Sequence, residues 1–197
     1  MNEENTKMTS NMAIRAVVDG VLEIMGDNGA KILFRNIGME RLFDNPPEYN
    51  LEPCITVPEQ AKIYDEVVHL VGLNGAIGIW RRLGYTNLRY ADEIGHILDY
   101  FKDLPDPNER FLKGMELFVA ASGKGRLIAK ESGPVDFDCF DCLLCHEYTS
   151  DRPMCAVYAG VMTYIADWAY GKGKYIGTEI SCKGKGDDTC YFTLMEK

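Results

Sequence analysis

The sequence predicts an α+β protein in which helices cover one face of an antiparallel sheet. Three observations predict it. Apolar stripes at helical spacing fill the first two thirds of the chain. Two short alternating segments then precede one long helix, and residues 174–197 read as a β-hairpin. Strands on both sides of a single helix call for an antiparallel layer rather than a parallel one.

Taken in order, residues 9–26 place Met12, Val17, Val18, Val21, Leu22 and Met25 on one helical stripe. The next helix starts with Thr56 as N-cap, Pro58 in the first turn and Glu59 closing a capping box. Tyr64, Val67, Val68 and Val71 form its expected buried face, and His69 is read as a structural or surface histidine because no ligand partner lies near it in sequence. "AIGIWRRLGY" is expected to be a short helix capped by Gly84. Asp106, Pro107 and Glu109 open another, with Phe111, Leu112, Met115, Phe118 and Val119 as its stripe.

"GRLIAKE" and "VDFDCFDC" read as strands. Pro153 is expected to open the strongest helix, whose Val157, Val161, Tyr164, Ile165 and Trp168 line one face and whose end is Gly171. The final hairpin turns through "KGKGDD". The chain is expected to be a single domain, 1–197, with a mainly helical half over 1–125 packed on a strand-helix-hairpin core over 126–197.

Composition narrows the function. The chain has 197 residues, 46% of them hydrophobic, which suits a folded domain with a buried core. A formal charge of −9 argues against nucleic acid or an anionic membrane as partner. No apolar run reaches the length of a membrane span, and the polar, acidic opening residues do not form a secretory signal, so the expected compartment is the cytoplasm. Six of the seven cysteines fall in the final third: Cys139, Cys142, Cys145, Cys155, Cys182 and Cys190, with Cys54 alone. An odd number in a reducing compartment argues against a disulfide framework, and the clustering in one region suggests metal.

In the hairpin, Glu179 and Cys182 lie three apart, and strand pairing brings Cys182 opposite Cys190 near the turn. A twist or bulge must swing Glu179 round to them. Cys155, expected in the first turn of the preceding helix, sits where the helix field favours a thiolate. Three thiolates and one carboxylate make a tetrahedral zinc site with no open position.

The segment from "RPMCAVYAGVMTYIADWAYGKG" through "KYIGTEISCKGKGDDTCYFTL" resembles the C-terminal signature of the 4-vinyl-reductase, or hydrocarbon-binding, domain family. Relatives include the aromatic-sensing modules of phenol-responsive activators and stand-alone archaeal proteins. The likeness is specific over residues 134–194 and looser over 9–130. It implies a structural zinc on Cys155, Glu179, Cys182 and Cys190. It also implies a fold related to the haem-nitric-oxide and vesicle-tethering domains, often dimeric.

"CLLCH" over residues 142–146 leaves three readings open. Cys142, Cys145 and His146 match the pattern that attaches a c-type haem. Cys139, Cys142, Cys145 and His146 also offer a second metal or redox site. Plain buried or surface thiols are the third reading.

The function expected on this basis is binding or sensing of a small hydrophobic, aromatic or tetrapyrrole molecule on a zinc-clamped scaffold. Candidate pocket residues, by side-chain type, are Trp80, Tyr85, Phe111, Phe118, Tyr158, Tyr164 and Trp168. A tetrapyrrole carrier or accessory role is the alternative, as is a haem or thiol redox sensor. Direct catalysis is disfavoured because no glycine-rich dinucleotide loop follows a strand. A homodimer with a downstream protein partner is expected to carry the output.

Overall fold

A computed structural model describes residues 7–197 except 124, 132, 143, 146 and 147. The chain divides into two compact units, Met1–Gly95 and His96–Lys197.

The first unit is helical with one small sheet. Strand β1 (Met8–Ser10) pairs antiparallel with β2 (Pro53–Thr56), a pairing that periodicity alone does not anticipate. Helix α1 (Asn11–Asn36) starts where the Ser10 side chain accepts the Ala13 N–H. It runs on past the expected end at Gly26, which kinks it with a positive φ of 68°. After α2 (Glu40–Asp44), helix α3 (Val57–Gly95) begins at the expected capping box: Glu59 Oε2 accepts from Thr56 N at 2.8 Å, and Thr56 Oγ1 accepts from Glu59 N at 3.3 Å.

Two expectations for α3 need correction. Gly84 is buried inside the helix rather than capping it, and the helix break falls at Gly72, whose φ is 72°. The reason is tertiary: Leu83, Gly84 and Thr86 are all buried, so packing carries the helix through the glycine. Val71 is exposed, because the kink at Gly72 ends the buried stripe of Ile63, Tyr64 and Val67, with Val68 half-buried. His69 is a surface residue, its Nδ1 3.3 Å from Glu66 Oε2.

The second unit holds a 3-10 turn at Asp99–Phe101 and helix α4 (Pro107–Ser122). The Asp106 side chain accepts the Asn108 N–H at 2.9 Å, as the sequence leads one to expect, and Gly123 closes α4 in the left-handed region. Strands β3 (Arg126–Ile128) and β4 (Asp136–Cys139) precede helix α5 (Ala156–Tyr170), and β5 (Tyr175–Ser181) and β6 (Cys190–Glu196) form the hairpin. The sheet order is β3-β4-β6-β5, antiparallel throughout. Helix α5 begins three residues later than expected, so Cys155 is its N-cap and Pro153 lies in the preceding loop. Pro153 is pre-shaped for a helix start, but the chain there is still committed to carrying Met154 and Cys155 into the interior, where both are fully buried.

Period-2 alternation sorts the sheet into two faces. Phe137 and Phe192 stack at 5.8 Å between ring centroids, and Tyr158 of α5 packs edge-on against Phe192 at 5.6 Å. Phe118 of α4 meets Phe137 at 5.8 Å. This aromatic layer is the core under the helices. On β4 the intervening Asp136 and Asp138 are buried too: Lys130 Nζ and Tyr191 Oη donate to Asp136 at 2.7 and 2.8 Å, and Arg126 donates to Asp138 Oδ2 at 2.9 Å, while Asp138 Oδ1 has no hydrogen-bond partner among the described residues. Gly177 lets β5 press onto α5; a Cβ there would stand 2.3 Å from the Ala159 carbonyl oxygen.

No helix among the described residues is long and apolar enough to cross a membrane.

Candidate metal centre

Four elements of the second unit converge on one group of sulfurs. Cys190 is the first residue of β6, opposite Cys139 of β4. Cys182 follows β5 and starts a 3-10 turn, Lys183–Lys185, whose Gly186 adopts a φ of 98° that suits only glycine. Its tight return is held by Asp187, whose Oδ2 accepts the Cys182 N–H at 2.8 Å and whose N–H donates to the Cys182 carbonyl at 3.2 Å. Cys155 caps α5. Cys142 and Cys145 lie on the loop between β4 and α5.

The bulge that Glu179 needs is present. The β5–β6 register shifts between Glu179 and Ser181, pairing them with the adjacent Phe192 and Tyr191. The carboxylate then reaches α5, where Oε2 accepts the Cys155 N–H at 2.7 Å. That bond also satisfies one of the orphan donors at the helix start.

The sulfurs are close together and buried. Cys155 Sγ is 3.7 Å from both Cys182 Sγ and Cys190 Sγ. Cys142 Sγ is 3.1 Å from Cys155 Sγ, and Cys145 Sγ is 3.4 Å from Cys190 Sγ. Two sets of four donors each lie within 4.8 Å: Cys155, Glu179, Cys182 and Cys190, and Cys142, Cys145, Cys155 and Cys190. The sequence divides these residues into a zinc site and a separate second site; the fold makes them one cluster. Cys139 is buried nearby on β4 but belongs to neither set, and His146 lies outside the described residues.

Do the residues fit a cation? The Oε1 atom of Glu179 is buried with no hydrogen-bond partner among the described residues. An unpaired buried carboxylate oxygen is costly unless something positive completes it. Burial, with the Cys182 sulfur beside it, pushes the Glu179 carboxyl up to about 9 against the pull of the Cys155 N–H. The Cys142 sulfur and the other neighbouring sulfurs hold the Cys155 thiol far above its usual range. Both shifts favour the protonated groups, and a bound cation would favour the deprotonated ones. Spacing agrees: a tetrahedron of Zn–S bonds of about 2.3 Å has S···S edges of about 3.8 Å, close to the two 3.7 Å separations at Cys155. The Lys183 N–H, 3.4 Å from Cys190 Sγ, adds a donor suited to a thiolate.

The expected pocket residues are divided between the units. Phe111 is fully buried and 5.8 Å from Tyr170, while Phe118 and Tyr158 belong to the aromatic core. Tyr164 and Trp168 on α5 are half-buried. In the first unit Tyr85 is half-buried, and Trp80 is fully buried with its Nε1–H unpartnered among the described residues. Asp187 was not foreseen from the sequence; its role in shaping the Cys182 turn is signalled only by its place after Gly186.

Residues 135–196 match the family model of the 4-vinyl-reductase domain, the family that the sequence resembles. Solved structures similar to the chain include H-NOX domains. One, from work titled as probing haem distortion in the H-NOX family, has a TM-score of 0.61 at 16% identity over 94% of this chain and 93% of its own. An H-NOX protein from S. oneidensis in an Fe(II)NO state has a TM-score of 0.60 at 14% identity over 96% and 99%. An oxygen-binding H-NOX domain related to soluble guanylate cyclases has a TM-score of 0.56 at 16% identity over 91% and 89%. At such identities the likeness shows the fold. No curated protein matches the chain.

Proposed function

We propose, from the premise of a 4-vinyl-reductase domain on an H-NOX-type fold, that this protein is a small-molecule sensor whose second unit is clamped by zinc. The observation that carries the reading is the convergence of Cys155, Glu179, Cys182 and Cys190 within 4.8 Å, with a carboxylate oxygen left unpaired. Zinc here would supply only cohesion, because three thiolates and a carboxylate leave no coordination position for a substrate. The clamp would tie the start of α5 to the hairpin, so that the second unit answers a ligand as one rigid piece.

The ligand we propose is small and apolar or aromatic. Trp80 and Tyr85, both on α3 of the first unit, are the side chains we assign to its recognition. Trp80 adds a specific argument: a fully buried indole N–H without a protein acceptor among the described residues is a donor that a ligand's polar atom or a trapped water completes. The output would pass through a homodimer to a partner protein in the cytoplasm.

Work on those H-NOX domains concerns haem distortion and oxygen binding, which raises haem as the alternative ligand. Against covalent haem on Cys142 and Cys145 we weigh that both sulfurs are buried and lie against Cys155 and Cys190. His69 and His96 lie on the surface, each beside a carboxylate.

The test is native mass spectrometry and absorption of protein isolated from its own host. We expect zinc and a co-purifying apolar compound, with no Soret band. A Soret band with stoichiometric iron would replace this reading by a haem sensor.

A further inference from the structure

The two sets of four donors share two members, Cys155 and Cys190, and so use six donors altogether. Two tetrahedra that share an edge have this arithmetic: six ligands, two of them bridging, four around each ion. We propose that the centre is binuclear, with two divalent ions bridged by the Cys155 and Cys190 thiolates. Glu179 and Cys182 complete the first ion, and Cys142 and Cys145 complete the second. The inference builds on the single-zinc reading above and extends it to residues outside the Glu179–Cys182 pair.

Geometry argues for sharing. Cys155 Sγ and Cys190 Sγ, the common edge, are 3.7 Å apart, near the edge of about 3.8 Å that four-coordinate zinc requires. Each of the two shared sulfurs has terminal donors close to it. Cys142 lies 3.1 Å from Cys155 and Cys145 lies 3.4 Å from Cys190, while Cys182 lies 3.7 Å from Cys155. Thiolates bridge two soft or borderline ions through their remaining lone pairs.

Burial argues the same way. One ion held by three thiolates and a carboxylate leaves the buried Cys142 and Cys145 sulfurs against two metal-bound sulfurs with no ion of their own. Five thiolates and one carboxylate around two divalent ions carry the same two net negative charges as three thiolates and one carboxylate around one. A second observation is local: Gly184 sits where a Cβ would be 3.1 Å from Cys145 Cβ and 2.9 Å from Met154 Sδ. The Ser150 N–H donates to the Gly184 carbonyl at 2.8 Å. The hairpin turn and the Cys142–Cys145 loop are therefore built against each other, as shared coordination demands.

Zinc content by native mass spectrometry, after anaerobic reconstitution with excess zinc and removal of loose metal, tests the proposal. We expect two zinc ions per wild-type chain and one in the C142S/C145S double variant, whose circular dichroism should stay native. One zinc in both proteins overturns the binuclear centre and keeps the clamp. No zinc in wild type overturns both. Should the double variant not fold, cobalt titration of wild type decides. The electron paramagnetic resonance signal of the first equivalent should shrink as the second enters, because shared sulfur couples the two spins. A signal that simply doubles means unbridged sites and refutes the inference.

Discussion

Gly177→Ala is the substitution that most directly tests how the fold builds the metal centre. In open space a glycine-to-alanine change in a strand would stabilise the protein by about 0.4–1 kcal/mol, through the unfolded chain. Here the added Cβ would stand 2.3 Å from the Ala159 carbonyl oxygen and 3.0 Å from Met162 Cβ, whereas ordinary contact begins at 3.4 Å. Strand β5 and helix α5 must separate by roughly 1 Å, an overpacking cost of about 1–3 kcal/mol. For a unit of this size that is a fall of roughly 5–20 °C in melting temperature.

The same shift pulls Glu179 away from the Cys155 N–H, now 2.7 Å from its Oε2, and zinc affinity should drop by about 10–100-fold. Urea unfolding with and without zinc measures the first effect. Competition against a chromophoric chelator measures the second. A variant as stable as wild type, or more stable, with unchanged zinc affinity would refute the claim that the α5–β5 approach sets the ligand geometry.

Other outcomes follow from the same structure. Chelation of the metal should lower the melting temperature of wild type far more than that of a Cys182→Ala variant already deprived of the ligand, as differential scanning calorimetry would record. Burial holds the Tyr64 hydroxyl up at about 12, above its unfolded value of 10. Its contribution to stability is therefore complete below pH 10 and lost as pH rises towards 12, at up to about 1.4 kcal/mol per pH unit. Tyr64→Phe should flatten that decline in denaturation curves taken between about pH 9 and pH 11.5. Thr56→Ala removes the capping box that starts α3 and should cost about 1 kcal/mol in the same measurement.

How much was legible depends on the range of the interaction. The capping box at Thr56 and Glu59 and the Asp106–Pro107 helix start are contacts within four residues, so their letters suffice. The same is true of the Glu179–Cys182–Cys190 hairpin: pairing register follows from alternation and the turn, and the required bulge is present at Glu179. Gly84 misled because a glycine ends a helix only when nothing packs around it, and here Leu83 and Thr86 are buried beside it. Gly72, with nothing within 4 Å of its would-be Cβ, is where the helix breaks instead.

By itself, then, the sequence determined an antiparallel sheet under helices, a hairpin carrying Glu179, Cys182 and Cys190, and a cysteine at the head of α5. These rest on periodicity, caps and turns, which are properties of neighbouring residues. Only the tertiary structure decided that Cys142 and Cys145 face the same sulfurs as the hairpin. The pairing of Cys139 with Cys190 across β4 and β6, 51 residues apart, delivers the intervening loop to the hairpin turn. No local pattern encodes that meeting, because its driving force is the burial of Phe137 against Phe192 and Tyr158, a contact between segments distant in the chain.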